Sequence, residues 1–135
     1  MTGTEAPTRH GSSTVTNDVA IRVDPVYRAD HSDPLAGRYV FAYSIRIANE
    51  SDNPVTLISR QWVIVDADAN RHDVEGEGVV GRQPTIQPGE SFEYSSHCPL
   101  NTPWGTMEGH FRFLAHDATH FDAAIARFYL VSDES

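Results

Sequence analysis

A glycine-rich string, Gly76-x-Gly78-x-x-Gly81, carries the most suggestive chemistry in the chain, because that spacing matches the fingerprint of dinucleotide-binding loops. The fingerprint works by ending a strand and opening a helix whose amide end meets pyrophosphate. Here Arg82-Gln83-Pro84 and then Pro88 follow, and no helix can start there, which excludes the dinucleotide fold. A simpler use survives: the amides of Gly76, Gly78, Val79, Val80 and Gly81 could form an anion nest, with Arg82 or Arg60 supplying charge-assisted bonds to phosphate or pyrophosphate. Glu75 and Glu77 oppose it by repulsion, and the same glycines equally serve a tight loop that needs positive φ.

Other reactive side chains converge less well. Seven histidines include His116-Asp117-x-x-His120, with Glu108 and His110 nearby, but zinc needs three or four ligands brought together and nothing in this spacing fixes them, so they read as solvated loop and strand residues. Ser95, Ser96, His97 and Cys98 are consecutive, and consecutive strand residues point to opposite faces, which disfavours a Cys98–His97 dyad. Asp66, Asp68 and Asp73 read first as turn chemistry, with weak divalent-cation binding as the alternative.

The elements that would hold these residues are strands. Tyr39, Phe41, Tyr43, Ile45 and Ile47 fall on one face at period two, a pattern a helix would scatter. Val19, Ile21 and Val23 alternate up to Pro25, and 55–66 is apolar on both faces, fitting a strand buried on both sides or one carrying a bulge. Turn chemistry at 66–71 leads into a hairpin strand at 72–75. Phe92 and Tyr94, then Met107, Phe111 and Phe113, then 121–131 supply further strands. Trp62 is placed to fill the core between layers. About seven or more short antiparallel strands with regular turn signals predict an all-β, immunoglobulin/fibronectin III-like two-sheet β-sandwich. Residues 1–16, rich in Thr, Ser and Gly, read as a disordered leader, and 17–132 as one domain.

Composition narrows the function. Lys and Arg together number 10, all of them Arg, against 19 acidic residues, for a net charge of -9. Generic nucleic-acid binding is disfavoured, since it needs clustered positive charge. The single cysteine, Cys98, excludes an internal disulfide. No run of apolar residues is long enough for a membrane span, and a cytoplasmic address follows by default.

Four segments together resemble the ApaG family: RYVFAYSIRIANES at 38–51, ISRQWVIVDADA at 58–69, VEGEGVVGRQPTIQPGESFEYSS at 74–96 and CPLNTPWGTMEGHF at 98–111. Two positions depart from the usual pattern of that family, Gln61 where an aromatic or His commonly precedes the Trp, and His97 where a small residue is common. The resemblance implies a small bacterial β-sandwich of fibronectin III type. Similar domains are appended as recognition modules to some eukaryotic F-box and polymerase-interacting proteins, so it also implies binding. Its link to cobalt and magnesium resistance implies an indirect role for a chain that cannot itself conduct ions. The expectation is a non-enzymatic protein–protein interaction module with no cofactor and no metal. The alternative is an accessory protein that binds pyrophosphate or nucleotide at the glycine loop, and a phosphoanhydride hydrolase is the enzymatic alternative. The chain is expected as a monomer or a homodimer, with Val19 to Val23 as an edge strand available for pairing between subunits.

Overall fold

The structure is a computed structural model, and it describes residues 9–132. Nine strands follow one another: β1 (Ser12–Thr16), β2 (Val19–Tyr27), β3 (Tyr39–Asn49), β4 (Val55–Asp66), β5 (Arg71–Glu77), β6 (Thr85–Ile86), β7 (Ser91–Leu100), β8 (Trp104–Ala115) and β9 (His120–Val131). They form two antiparallel sheets in the orders β1-β2-β3-β7 and β5-β4-β8-β9, with the short β6 paired to β4. The chain passes between sheets from β3 to β4, from β6 to β7 and from β7 to β8, which makes a β-sandwich. Two short 3₁₀ turns, Ala29–His31 and Pro34–Ala36, are the helical elements among the described residues.

The period-two pattern in β3 becomes the core directly. Phe41, Tyr43, Ile45 and Ile47 are buried against the inward residues of β4, β8 and β9, among them Trp62, Phe111 and Phe128. Trp62 sits at the centre, its ring 5.6 Å from Tyr43, 6.2 Å from Phe111 and 5.8 Å from Phe128, with tilts of 65°, 81° and 84°. These are edge-to-face arrangements that add to the burial itself. The two-faced character of 55–66 is explained by a bulge: the register of β4 against β8 shifts between Leu57 and Ser59, leaving Ile58 as the extra residue.

Three expectations change. The disordered leader read over 1–16 does not reach its stated end, because Ser12–Thr16 forms β1; residues 1–8 lie outside the described residues. The turn is Asn17-Asp18, both with positive φ (48° and 63°), as a two-residue hairpin requires. Val19 to Val23 is therefore no edge, since β1 covers one side of β2 and β3 the other. Finally, β2 continues through Pro25, and it can do so because β1 ends opposite Val23, so Pro25 has a strand on one side alone.

Asn49 is fully buried at the end of β3. Its Nδ2 donates to the carbonyls of Asn53 and Ile86, each at 2.8 Å, and its Oδ1 accepts from the Ser51 amide and hydroxyl at 3.0 and 2.6 Å. One side chain thus ties the β3–β4 turn to β6 with its polar capacity filled.

Candidate functional site

The glycine loop closes on itself. Val79 and Arg82 bridge, each amide donating to the other's carbonyl at 2.8 and 2.9 Å, and the Gly78 amide donates to Ile58 O at 2.8 Å. The turn between them puts Val80 at φ 43° and Gly81 at φ 79°, and Val79 is fully buried as its anchor. A Cβ on Gly78 would lie 2.1 Å from Arg82 O, so closeness of backbone demands glycine there. The two candidate cations are also engaged. Arg60 Nη1 donates to the carbonyls of Glu77 at 3.1 Å and Gly78 at 2.8 Å, and the Arg82 guanidinium lies 5.5 Å over the Phe92 ring. Gly76, Gly78, Val79, Val80, Gly81, Arg82 and Arg60 do come together, but the amides of Val79 and Arg82 point at the loop's own carbonyls and that of Gly78 at Ile58 O of β4, not at a shared cradle.

The remaining candidates stay apart. Among the described residues no three of His, Cys, Asp and Glu gather as a metal site would need. Glu108 pairs with Arg127 at 2.7 Å, and Asp117 accepts from Thr119 within its own turn. His97 is exposed on the outer face of β7, its ring 6.4 Å from His31, while Cys98 is buried on the inner face. Burial pushes the Cys98 thiol up to about 11, which keeps it protonated and poorly nucleophilic near neutrality. Asp66 accepts from the amides of Asp68 and Asn70, both at 2.9 Å, and these bonds, that of Asn70 foremost, hold its carboxyl below the usual carboxylate range. Asp73 is held by Arg71 at 2.8 Å. Asp66 thus serves the turn, and Asp73 a strand ion pair within β5.

What the sequence reading did not single out is the gap between β5 and β7. Among the described residues each is the last strand of its sheet, and the two do not pair with each other. Between them opens a groove of about 430 Å³, with Trp62 and Met107 at its floor, Ser96, Cys98 and Leu100 along the β7 wall, and His72 and Val74 along the β5 wall. Such a volume lies within the range of ligand clefts. Val74, opposite Trp62 in the β4–β5 register, is 38% exposed. Tyr43 lines the groove and the Tyr94 ring packs 6.5 Å from that of Phe111, and burial raises both phenols above their ordinary pKa. The Tyr94 hydroxyl oxygen is the buried side-chain polar atom left without a hydrogen-bond partner among the described residues.

Arg60 marks one end of this groove. It points inward beside Trp62 and crosses β5 at Gly76, where a Cβ would stand 2.7 to 2.8 Å from its guanidinium atoms. Glycine at 76 therefore lets a buried-face arginine bring its charge across the edge strand. Asp66 and Asn101 lie among the groove's other lining residues. Gln61 belongs to the outer face of β4, opposite Glu75 and His110.

Comparison with known proteins follows the same lines. The family model described as the ApaG domain matches residues 29–115. The chain is 47% identical over 120 residues to protein ApaG of Anaeromyxobacter dehalogenans strain 2CP-C, covering 89% of this chain and 94% of that protein. It is 53% identical over 112 residues to protein ApaG of Thiobacillus denitrificans, covering 83% and 88%. The crystal structure of the putative ApaA protein from Bordetella pertussis superposes with a TM-score of 0.85 at 42% identity, over 90% of this chain and all of that one.

Proposed function

The chain belongs to the ApaG domain family, and from that premise we propose that it is a non-enzymatic binding module that takes a protein partner at the mouth between β5 and β7. The observation that carries this reading is the groove itself: two strand edges without partners among the described residues flank an apolar floor at Trp62 and Met107. Unpaired edges attract another chain unless they are covered, and proteins that leave them open beside an apolar cleft use them for recognition. A binding role in place of catalysis is supported by the protonated Cys98 thiol and by carboxylates already committed to turns and ion pairs. Any influence of such a module on divalent-cation levels runs through the partner it holds.

The test is affinity capture from an extract of the native host with three immobilised forms. Val74→Arg places a charge at the groove wall, and Val15→Arg places one on β1, where the side chain is 63% exposed on the opposite side of the sandwich. Proteins held by the wild type and by Val15→Arg but lost with Val74→Arg locate the binding surface at the mouth. Retention of the same proteins by Val74→Arg removes the mouth from consideration.

A further inference from the structure

We infer that the mouth takes one extended peptide strand, antiparallel to β5, in which an acidic residue and a bulky apolar residue stand two positions apart and basic residues alternate with them. This rests on the mouth being a protein-binding surface and adds which chemistry it selects.

The choice of β5 over β7 follows from the edge residues. β7 carries Pro99, which has no amide to offer, whereas Arg71–Glu77 contains no proline and, among the described residues, is paired on its β4 side alone. An added strand continues the sheet in the antiparallel sense already set by β4 and β5. Its side chains then alternate between the groove and solvent.

The groove-side positions are set by Val74 and Gly76. Opposite Val74 the incoming side chain meets an exposed valine with Trp62 across the strand, so a branched apolar or aromatic residue gains most there. Opposite Gly76 it meets the Arg60 guanidinium, whose Nη1 is held by the Glu77 and Gly78 carbonyls and whose charge the missing side chain at 76 leaves uncovered, and a carboxylate is its complement. The solvent-side positions face Asp73, Glu75 and Glu77. Asp73 already holds Arg71, but Glu75 and Glu77 add negative charge along the edge and favour lysine or arginine across from them. Read antiparallel to residues 77 to 73, the central pattern is Lys-Glu-Lys-Leu-Lys.

The test uses fluorescence anisotropy with the full chain and blocked, labelled decapeptides that carry this core between serine and threonine flanks. A permuted core, Lys-Lys-Leu-Glu-Lys, keeps composition and charge but sends leucine and glutamate to opposite faces. The alternating peptide is expected to bind about tenfold tighter or more, the equivalent of one well-made contact. Changing its glutamate to lysine separates recognition from bulk attraction. A chain of net charge -9 attracts the more cationic peptide if charge alone acts, whereas the Arg60 site rejects it by about tenfold. The protein variant Arg60→Glu is expected to reverse that preference. Should it fail to fold by circular dichroism, the exposed Val74→Lys, expected to lose about tenfold for the alternating peptide, serves in its place. Equal affinity for alternating and permuted peptides, or tighter binding of the lysine-substituted one by the wild type, overturns the inference. Those outcomes leave the capture result with Val74→Arg standing, so the two readings fail separately.

Discussion

The two open sides that any sandwich of flat layers would have are treated differently here. On one side β1 closes against β9: Ser12 Oγ donates to Ala126 O at 2.7 Å, Thr14 Oγ1 donates to Ala124 O at 2.5 Å, and the Tyr129 amide donates to His10 O at 2.9 Å. Hydroxyls reach across from one sheet to the carbonyls of the other. On the other side β5 and β7 face each other with no such stitch among the described residues, and β5 is exposed along nearly its whole length. The contrast shows that closing a sandwich edge takes only a short strand with small hydroxyl side chains, so the open edge is not forced by the fold. Charge guards it instead, as the acidic and basic residues of Arg71–Glu77 disfavour indiscriminate pairing.

The comparison breaks most severely at the floor of the open side. Trp62→Ala is expected to destabilise the domain by about 3–5 kcal/mol, because it empties a site shared by both sheets. Urea unfolding measures it. A loss below about 1 kcal/mol would mean that the mouth is loosely packed and its floor dispensable.

At the closed side, Ser12→Ala with Thr14→Val removes both stitches and is expected to cost about 1–2 kcal/mol in total. Amide exchange at Tyr129 should accelerate with it, since that amide bonds to the chain just ahead of β1. Unchanged exchange would show that backbone pairing to β2 alone keeps β1 in place.

Tyr94→Phe sharpens the contrast in the opposite direction. Its hydroxyl is buried with no partner among the described residues, so its removal is expected to be neutral or to stabilise by up to about 1 kcal/mol. Destabilisation beyond that would reveal a bonded hydroxyl.

Smaller still at neutral pH is Asp66→Asn, because asparagine keeps an acceptor for the turn amides. The folded carboxyl has a lowered pKa, so the stability it adds is present above the unfolded value of about 3.9 and is lost as pH falls through the folded value. Unfolding curves of wild type and variant should therefore differ at pH 6 and converge on acidification, on the order of pH 2. A gap that widens in acid would contradict the assignment.

How much of this was legible from residues alone differs between the two sides. The alternation from Tyr39 to Ile47 and the central Trp62 specify the sandwich, because burial on one face leaves a period-two trace. β1 leaves no such trace: Val15 is exposed, and Ser12 and Thr14 act through hydroxyls, which a search for apolar periodicity passes over. The role of Asn49 leaves no local trace either, because it depends on Ile86, far along the chain. The mouth was hidden for a further reason. Being an edge is a property of strand order, and Val74 is a lone apolar residue in a charged run whose position opposite Trp62 appears only once β4 and β5 are in register. The glycine string, conspicuous in sequence, turned out to shape a turn and to clear a path for Arg60.

The seam between β1 and β9 also settles how the molecule is best tethered. His10 already lies against Tyr129, so a fusion or surface attachment entering ahead of β1 reaches the sandwich on the flank away from β5 and β7. A copy anchored by that end displays its groove outward, free of its support, and several copies on one scaffold would offer their grooves to the same long strand at once.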